Sequence, residues 1–254
     1  IHFYLDEISR TFEPGELESM DDCLDEAVTY GFLIPKKIGE EYSFSHSLIR
    51  EAIRYNIKTT ERRRMYREMA KRIEEAGLGE EERWSGRLSE WWNRGEIDAE
   101  GLRKARYYAL KAAEHACRHS DFDYAHHLLE GLVQKDKKNI ESLDEADVFY
   151  KLAQIKSYYS EPFVAMRYFE KALRFYLDKR HPGRMQRITM HPVHLPIGLP
   201  GISELFSEIL EKEGCTGIYR GMILIHYGGA LINYRGEYTN AKEALREAHE
   251  ICLC

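Results

Sequence analysis

Three stretches of this chain share one pattern of small and large residues, and that pattern limits its fold more than any other feature. In "YYALKAAEHACRHSDFDYAHHLLEGLV", "FYKLAQIKSYYSEPFVAMRYFEKALRFY" and "HYGGALINYRGEYTNAKEALREAHEI", Ala113, Ala153 and Gly229 occupy the same position. Twelve residues later stand Ala125, Ala165 and Ala241; four further on stand Leu129, Phe169 and Leu245; then come Leu132, Ala172 and Ala248. The step from Ala113 to Ala153 is 40 residues and that from Ala153 to Gly229 is 76, or twice 38, so one divergent unit fits between, around 180–214. Small residues at the first two positions let two antiparallel helices approach closely, and the large residue at the third fills the gap. Such a helix-turn-helix unit buries its apolar face only by stacking on neighbours.

The pattern resembles the tetratricopeptide repeat, with units longer than that family's usual length. The expected architecture over 80–254 is therefore a TPR-like α-α superhelix. Its concave, first-helix face is the expected recognition surface for a protein or small-molecule inducer. The candidates on it are Tyr107, Tyr108, Lys111, Tyr150, Lys151 and Gln154, against an equal reading in which the tyrosines are interhelical packing. "HPGRMQRITMHPVHLPIGLPG" breaks the pattern with Pro182, Pro192, Pro196 and Pro200 and reads as an irregular insertion near 181–200. His181, His191 and His194 lie in it without acidic or cysteine partners at ligand spacing, so a loop is expected there and no metal site. His115, His119, His126 and His127 gather around one repeat turn and read as helix surface plus one packed imidazole.

The first eighty residues follow a different plan. "LESMDDCLDEAVTYGF" sets Leu17, Met20, Leu24, Ala27 and Val28 at helical spacing, with Gly31 as the C-terminal stop. "FLIPKKIGEEYSFSH" reads as strand, turn, strand. Ser45 or Ser47 is the expected cap of a helix whose inner face is Leu48, Ile49, Ala52, Ile53 and Ile57; Thr59 or Thr60 starts another, with Met65, Met69 and Ile73 inward. Helix, hairpin, helix, helix is the layout of a winged-helix module at 1–77, with its N-terminal edge read as clipped. The helix ahead of the hairpin carries Glu18, Asp21, Asp22, Asp25 and Glu26 and no basic residue, so phosphates would repel it and DNA binding is not expected. Arg62, Arg63, Arg64, Arg67 and Arg72 alternate with glutamates and read as a solvated face with i,i+4 pairs.

"YSFSHSLIREAI", followed by "ERRRMYREMAKRIEE" and preceded by "CLDEAVTYGFLI", resembles the winged-helix segment of STAND-type signalling ATPases, among them the large LuxR-type regulators and adenylate-cyclase-linked regulators. The likeness covers 17–76 well and 1–16 loosely. "ERWSGRLSEWWNRGEIDAEGLRKARYYALKAAEHA", with Trp84, Trp91 and Trp92, is similar to the start of that family's repeat region. The resemblance implies an ATPase domain upstream, with ATP or ADP and Mg, because no GxxxxGK[ST] loop occurs in this chain. It also implies that His46 faces the phosphates of ADP bound to that domain, with Arg50 one turn on adding charge or pairing with a neighbouring acid; the equal alternative is that His46 caps its own helix and packs under the wing without a ligand.

Composition sets the remaining bounds. A chain of 254 residues with 43% apolar residues has material for a core, and seven prolines permit long helices. A net charge of −6 argues against general nucleic-acid affinity. Five irregularly spaced cysteines without CxxC fit reduced thiols in a cytoplasmic protein. The longest apolar run, 221–232, is too short to span a bilayer. No nucleophile–base pair, paired-carboxylate motif or phosphate loop stands out, and no cofactor is expected in this chain itself. The chain starts without Met and ends within a helical pattern, so it reads as part of a longer protein. The expectation is an all-α fold apart from one β-hairpin, serving as the non-catalytic regulatory part of a STAND-type transcriptional or signalling regulator. The rival reading is a free-standing TPR adaptor for protein–protein interaction, with an enzyme a distant third.

Overall fold

Helical periodicity dominates the sequence, and the protein is predominantly helical. A computed structural model describes residues 2–5, 9, 14–37, 41–95, 98–133, 140–159, 161–190, 193, 201–211 and 215–253. Among these lie three strands, β1 (His2–Tyr4), β2 (Leu33–Lys37) and β3 (Glu41–Phe44). The helices are α1 (Pro14–Thr29), α2 (Ser47–Asn56), α3 (Thr59–Glu75), α4 (Glu82–Arg94), α5 (Ala99–Arg118) and α6 (Phe122–Glu130), then α7 (Leu143–Tyr158), α8 (Pro162–Asp178), α9 (Pro182–Met190), α10 (Ile202–Glu211), α11 (Gly217–Ala230) and α12 (Tyr238–Leu253). A 3-10 turn (Leu78–Glu80) precedes α4 and a π-helical turn (Leu231–Arg235) follows α11. The chain divides into two compact units, Ile1–Ala112 and Ala113–Cys254.

In the first unit, Gly31 ends α1 as expected. At φ +71 its backbone lies in the left-handed region, where its N–H donates to Val28 O and the next N–H, of Phe32, to Ala27 O. That double closure is the glycine-dependent helix stop. The sheet holds one strand more than the expected hairpin. Its order is β1-β3-β2, all antiparallel, with Phe3 opposite Tyr42 and Ile34 opposite Ser43. Strand β3 is central, and Tyr42 and Ser43, which point to opposite faces, are both buried. Pro35 falls on the edge strand β2 beside a register irregularity, where a missing N–H costs least.

The break expected between 77 and 80 is not a packing boundary. Helix α4 packs on α3, burying Trp84, Leu88 and Trp92 against a face that includes Ala70 and Ile73. The Trp92 indole N–H donates to Glu74 at 3.1 Å, and Lys104 of α5 reaches the same carboxylate at 2.5 Å while lying over the Trp92 ring. Arg67 of α3 pairs with Asp98 at 2.7 Å, so part of the arginine run serves this packing. The aromatic residues of α4 thus complete the core begun by α3.

The second unit is built from packed helix pairs. Helices α7 and α8 pack along their length, as do α11 and α12; α6 lies on α7, α9 on α8 and α11, and α10 on α11. Ala113, Ala153, Ala125, Ala165 and Ala241 are all fully buried, as the repeat pattern requires. The third unit departs from it by one residue. A Cβ on Gly229 would meet nothing within 4 Å, whereas one on Gly228 would stand 2.7 Å from Leu245 Cγ. The close approach is therefore at Gly228, 13 residues before Ala241. The π turn at Leu231–Arg235 supplies the extra residue, since a π turn inserts one position into the helical register. The expected insertion near 181–200 is also partly regular: α9 occupies its first half and buries Met185 and Ile188. Pro182 stands at the first position of that helix, where its missing N–H is no loss. Pro192, Pro196, Pro200, His191 and His194 lie outside the described residues.

Candidate functional site

The sequence from Tyr42 to Arg62 builds an unusual surface. Strand β3 ends at Phe44, and α2 begins three residues later. Neither expected serine caps that helix. Ser45 Oγ donates to Gly31 O, tying the strand end to the turn after α1. His46, with extended backbone (φ −143, ψ 141), takes the N-cap position, and its Nδ1 accepts a long hydrogen bond of 3.5 Å from Leu48 N–H. Its ring is exposed. His46 therefore holds the helix start by one ring nitrogen and leaves the rest of the imidazole open to solvent.

Helix α2 is amphipathic, yet none of its residues is fully buried. Of the face expected to point inward, Leu48 is 70% exposed and Ile53 45%, while Ile49 and Ile57 are half-buried; Tyr55, which was not part of that face, is 90% exposed. Leu48, Ala52 and Tyr55 follow one another at helical spacing and line a shallow groove of about 480 Å³ with Glu51, Arg54 and Arg62. Met65 of α3, also expected inside, is 45% exposed. The charges around the groove are fixed in place. Arg50 donates from Nε and a terminal nitrogen to Glu51 Oε1 at 3.1 and 2.7 Å, and Arg54 reaches the same oxygen at 3.4 Å. Hydrogen bonding from Arg50 holds the Glu51 carboxyl below its ordinary range. Arg62 donates to Arg54 O at 3.1 Å, joining the start of α3 to the end of α2.

The candidates on the repeat face separate into packing and surface. Tyr150 is fully buried on α7, hydrogen-bonded by Gln154 at 3.3 Å and edge-on to Tyr176, and burial pushes its hydroxyl up to about 12. Tyr108 is buried too, edge-on to Tyr107, and burial raises its hydroxyl. Neither can present itself to a partner, so both belong to the packing alternative. Tyr107 is 49% exposed and donates to Glu80 at 3.2 Å. Lys111 donates to the Glu80 carboxylate at 2.8 Å and its carbonyl at 2.7 Å, holding that carboxyl below its ordinary value. Lys151 and Gln154 are half-buried on α7. Of the histidine group, His119 and His127 are exposed, and the His115 and His119 rings stand 4.4 Å apart, while His126 lies edge-on to Tyr159.

A buried carboxylate and a half-buried imidazole were not legible as such. Asp147 on α7 accepts from the Tyr176 hydroxyl at 2.7 Å and pairs with Arg184 of α9 at 2.6 Å. The sequence signal was faint: one acid at an otherwise apolar helix position, with arginines following "HPG". His226 stacks on Phe206 with ring centroids 5.7 Å apart, and burial lowers it to about 4. Its place within the apolar run 221–232 was the available clue.

No protein-family profile, curated protein or solved structure matches this chain. Among the described residues, no helix is long and apolar enough to cross a membrane.

Proposed function

We propose that this chain is a non-catalytic regulatory part of a STAND-type signalling ATPase, and that α2 is the surface by which it holds the ATPase domain of the same chain in its off state. The observation that supports this reading most is the uncovered apolar face of α2. A helix whose leucine, isoleucine and tyrosine stand in water gains stability when something covers them, at about 25 cal/mol per Å² of apolar surface removed. The resemblance of 17–76 to a STAND winged helix supplies the occupant. On this reading residues 1–77 form a winged-helix module with a third strand, and the helix pairs within 80–254 are TPR-like repeats that receive a protein or small-molecule inducer. The exposed imidazole of His46 stands at the start of α2, one turn before Arg50, where it would donate to a phosphate of ADP held by the ATPase domain. ATP or ADP with Mg belongs to that domain, and no residue of this chain is assigned a catalytic role. The exposed acids Asp21, Asp22 and Asp25 of α1 speak against DNA as the partner.

The test uses the full-length protein. His46→Ala, and separately Leu48→Asp with Tyr55→Asp, should speed ADP release and raise basal output. An unchanged ADP off-rate in both variants overturns the reading. A full-length gene without a phosphate-binding loop would replace it with the free-standing adaptor.

A further inference from the structure

Helix α11 rests on α9, α10 and α12 and still leaves one side open. Toward α12 it turns Gly221, Leu224 and Gly228. Leu224 packs with Ala244 and Ala248, and a Cβ on the two glycines would meet Ile251 at 3.1 Å and Leu245 at 2.7 Å. The open side carries a second stripe. Ile218, Met222, Ile225, Gly229 and Ile232 follow one another at steps of four, three, four and three. Ile218 is 46% exposed, Ile225 38% and Ile232 37%, while Met222 and Gly229 are half-buried. Gly229 faces empty space, since a Cβ there would meet no atom within 4 Å. Gly221 and Gly228 stand three or four residues from these isoleucines, which brings Cys252 and Leu245 of α12, the side chains beside those glycines, to the edge of the stripe. The stripe is also free of charge. Arg220 is the one arginine, lysine or acid of α11, and Glu247 at 2.6 Å and the Leu210 carbonyl at 3.0 Å hold it.

We propose that this stripe binds α11 of a second copy of the chain, antiparallel and about a two-fold axis. Apolar residues at alternating steps of three and four make the seam of a coiled coil, and such a seam takes a helix of the same spacing. Helix α2 offers a shorter exposed stripe of that spacing in Leu48, Ala52 and Tyr55, but Arg50, Glu51 and Arg54 border it. An ionic side chain carried onto the α11 stripe would be buried there without a counter-charge, which disfavours α2 and any other charged partner. A second α11 brings no such group, so the neutral surface is the match for itself. A two-fold axis uses one patch twice and closes the contact as a dimer. In the antiparallel direction each end of the stripe meets the other end. The space at Gly229 is then filled by an isoleucine of the second copy, and the two helix dipoles oppose. From Ile218 to Ile232 the stripe is about 21 Å long, too short for a permanent interface, so the dimer is expected in the micromolar range. The site lies within the second unit and does not rest on the regulatory reading of α2.

Sedimentation equilibrium of the chain from about 1 to 300 µM tests it, at low salt and again at high salt. A closed monomer–dimer equilibrium is expected, and salt should not weaken it, because no ion pair crosses the seam. Ile225→Asp should weaken the dimer by about tenfold or more, since it buries a carboxylate at the centre of the contact. Gly229→Glu should do the same, and it keeps the test independent of folding: its side chain enters open space, so its urea midpoint should stay near that of the wild type. A chain that stays monomeric throughout overturns the proposal, as does a dimer that survives Gly229→Glu unchanged. Open-ended growth in place of a closed dimer also overturns it, and so does a dimer lost in Leu48→Asp with Tyr55→Asp but kept in Ile225→Asp, which would place the contact on α2.

Discussion

Helix α2 has ten residues and fully buries none of them, while α7 has sixteen and buries nine, Glu145 and Asp147 included. Sequence periodicity misleads about both. Helix α2 has the clean apolar stripe of a helix laid on a core, and that stripe stands in solvent. Helix α7 has a weak stripe with acids scattered through it, and it is enclosed by α6 and α8. The difference lies in what each helix has to lean on. Among the described elements, strand β3 packs on α2 and Arg62 of α3 reaches the Arg54 carbonyl; Ile49 and Ile57 are partly covered, whereas Leu48, Ile53 and Tyr55 are exposed. The neighbours of α7 supply a base for its acid: Asp147 is satisfied by Arg184 and Tyr176, and so tolerates burial. An apolar stripe reports where a helix could be covered, and a polar residue inside a core reports that its partners came with it.

Breaking the satisfied network should cost most. Asp147→Ala leaves the Tyr176 hydroxyl and the Arg184 guanidinium without their acceptor, and about 3 kcal/mol of stability should go with it. The urea midpoint of the second unit reads this directly. A loss under about 1 kcal/mol would mean that water replaces Asp147 easily, and the contrast with α2 would weaken.

A smaller effect, set by pH, comes from His226. Burial lowers its imidazole from about 6.5 to about 4, so between those values the unfolded chain binds the proton and the folded one does not. Stability contributed by this group is present above pH 6.5 and is lost as pH falls towards 4, by up to about 3 kcal/mol at the lower end and by about 1 kcal/mol near pH 5.5. His226→Phe should flatten that limb of the stability–pH curve and keep the stack on Phe206. An unchanged limb would place the acid sensitivity elsewhere.

The glycine pair sharpens the packing side of the comparison. Gly228→Ala and Gly229→Ala gain the same helix propensity, so their difference isolates the clash with Leu245. Gly228→Ala should come out about 1–2 kcal/mol less stable than Gly229→Ala by thermal or urea unfolding. Equal stabilities would show that Leu245, which is 37% exposed, swings aside.

The sequence carried much of this arrangement and missed definable parts. Residue types at fixed spacing carried the helix pairs: Ala153, Ala165 and Phe169 are all buried where α7 and α8 pack along their length. Gly31 was legible because left-handed backbone at a helix stop admits few other residues. The third strand was not, because His2–Tyr4 is too short to show alternation and forms only by pairing with β3. The π turn was hidden because its one-residue shift alters which of two adjacent glycines faces Leu245, and composition cannot distinguish them. The His46 cap was legible as one of two readings of that histidine; its packing under the wing was not borne out, since the ring is exposed, and Ser45 is drawn away by Gly31 O. Burial of α2 was wrongly expected because amphipathicity marks a face without naming its cover.

The smallest expected effect is the one that bears most on α2. Leu48→Ser and Tyr55→Ser remove apolar side chains that are 70% and 90% exposed, and neither leaves a cavity or an orphaned polar group. Substitutions of that kind usually move stability by less than about 0.5 kcal/mol, and the double variant of this chain should unfold at nearly the wild-type midpoint. It should also bind less of an apolar reporter dye than the wild type, because the stripe that attracts the dye is gone. The two readouts together separate an uncovered face from a hidden core. If the double variant instead loses more than about 1.5 kcal/mol, Leu48 and Tyr55 are packed in solution, α2 is not waiting for a partner, and the docking reading fails at its base.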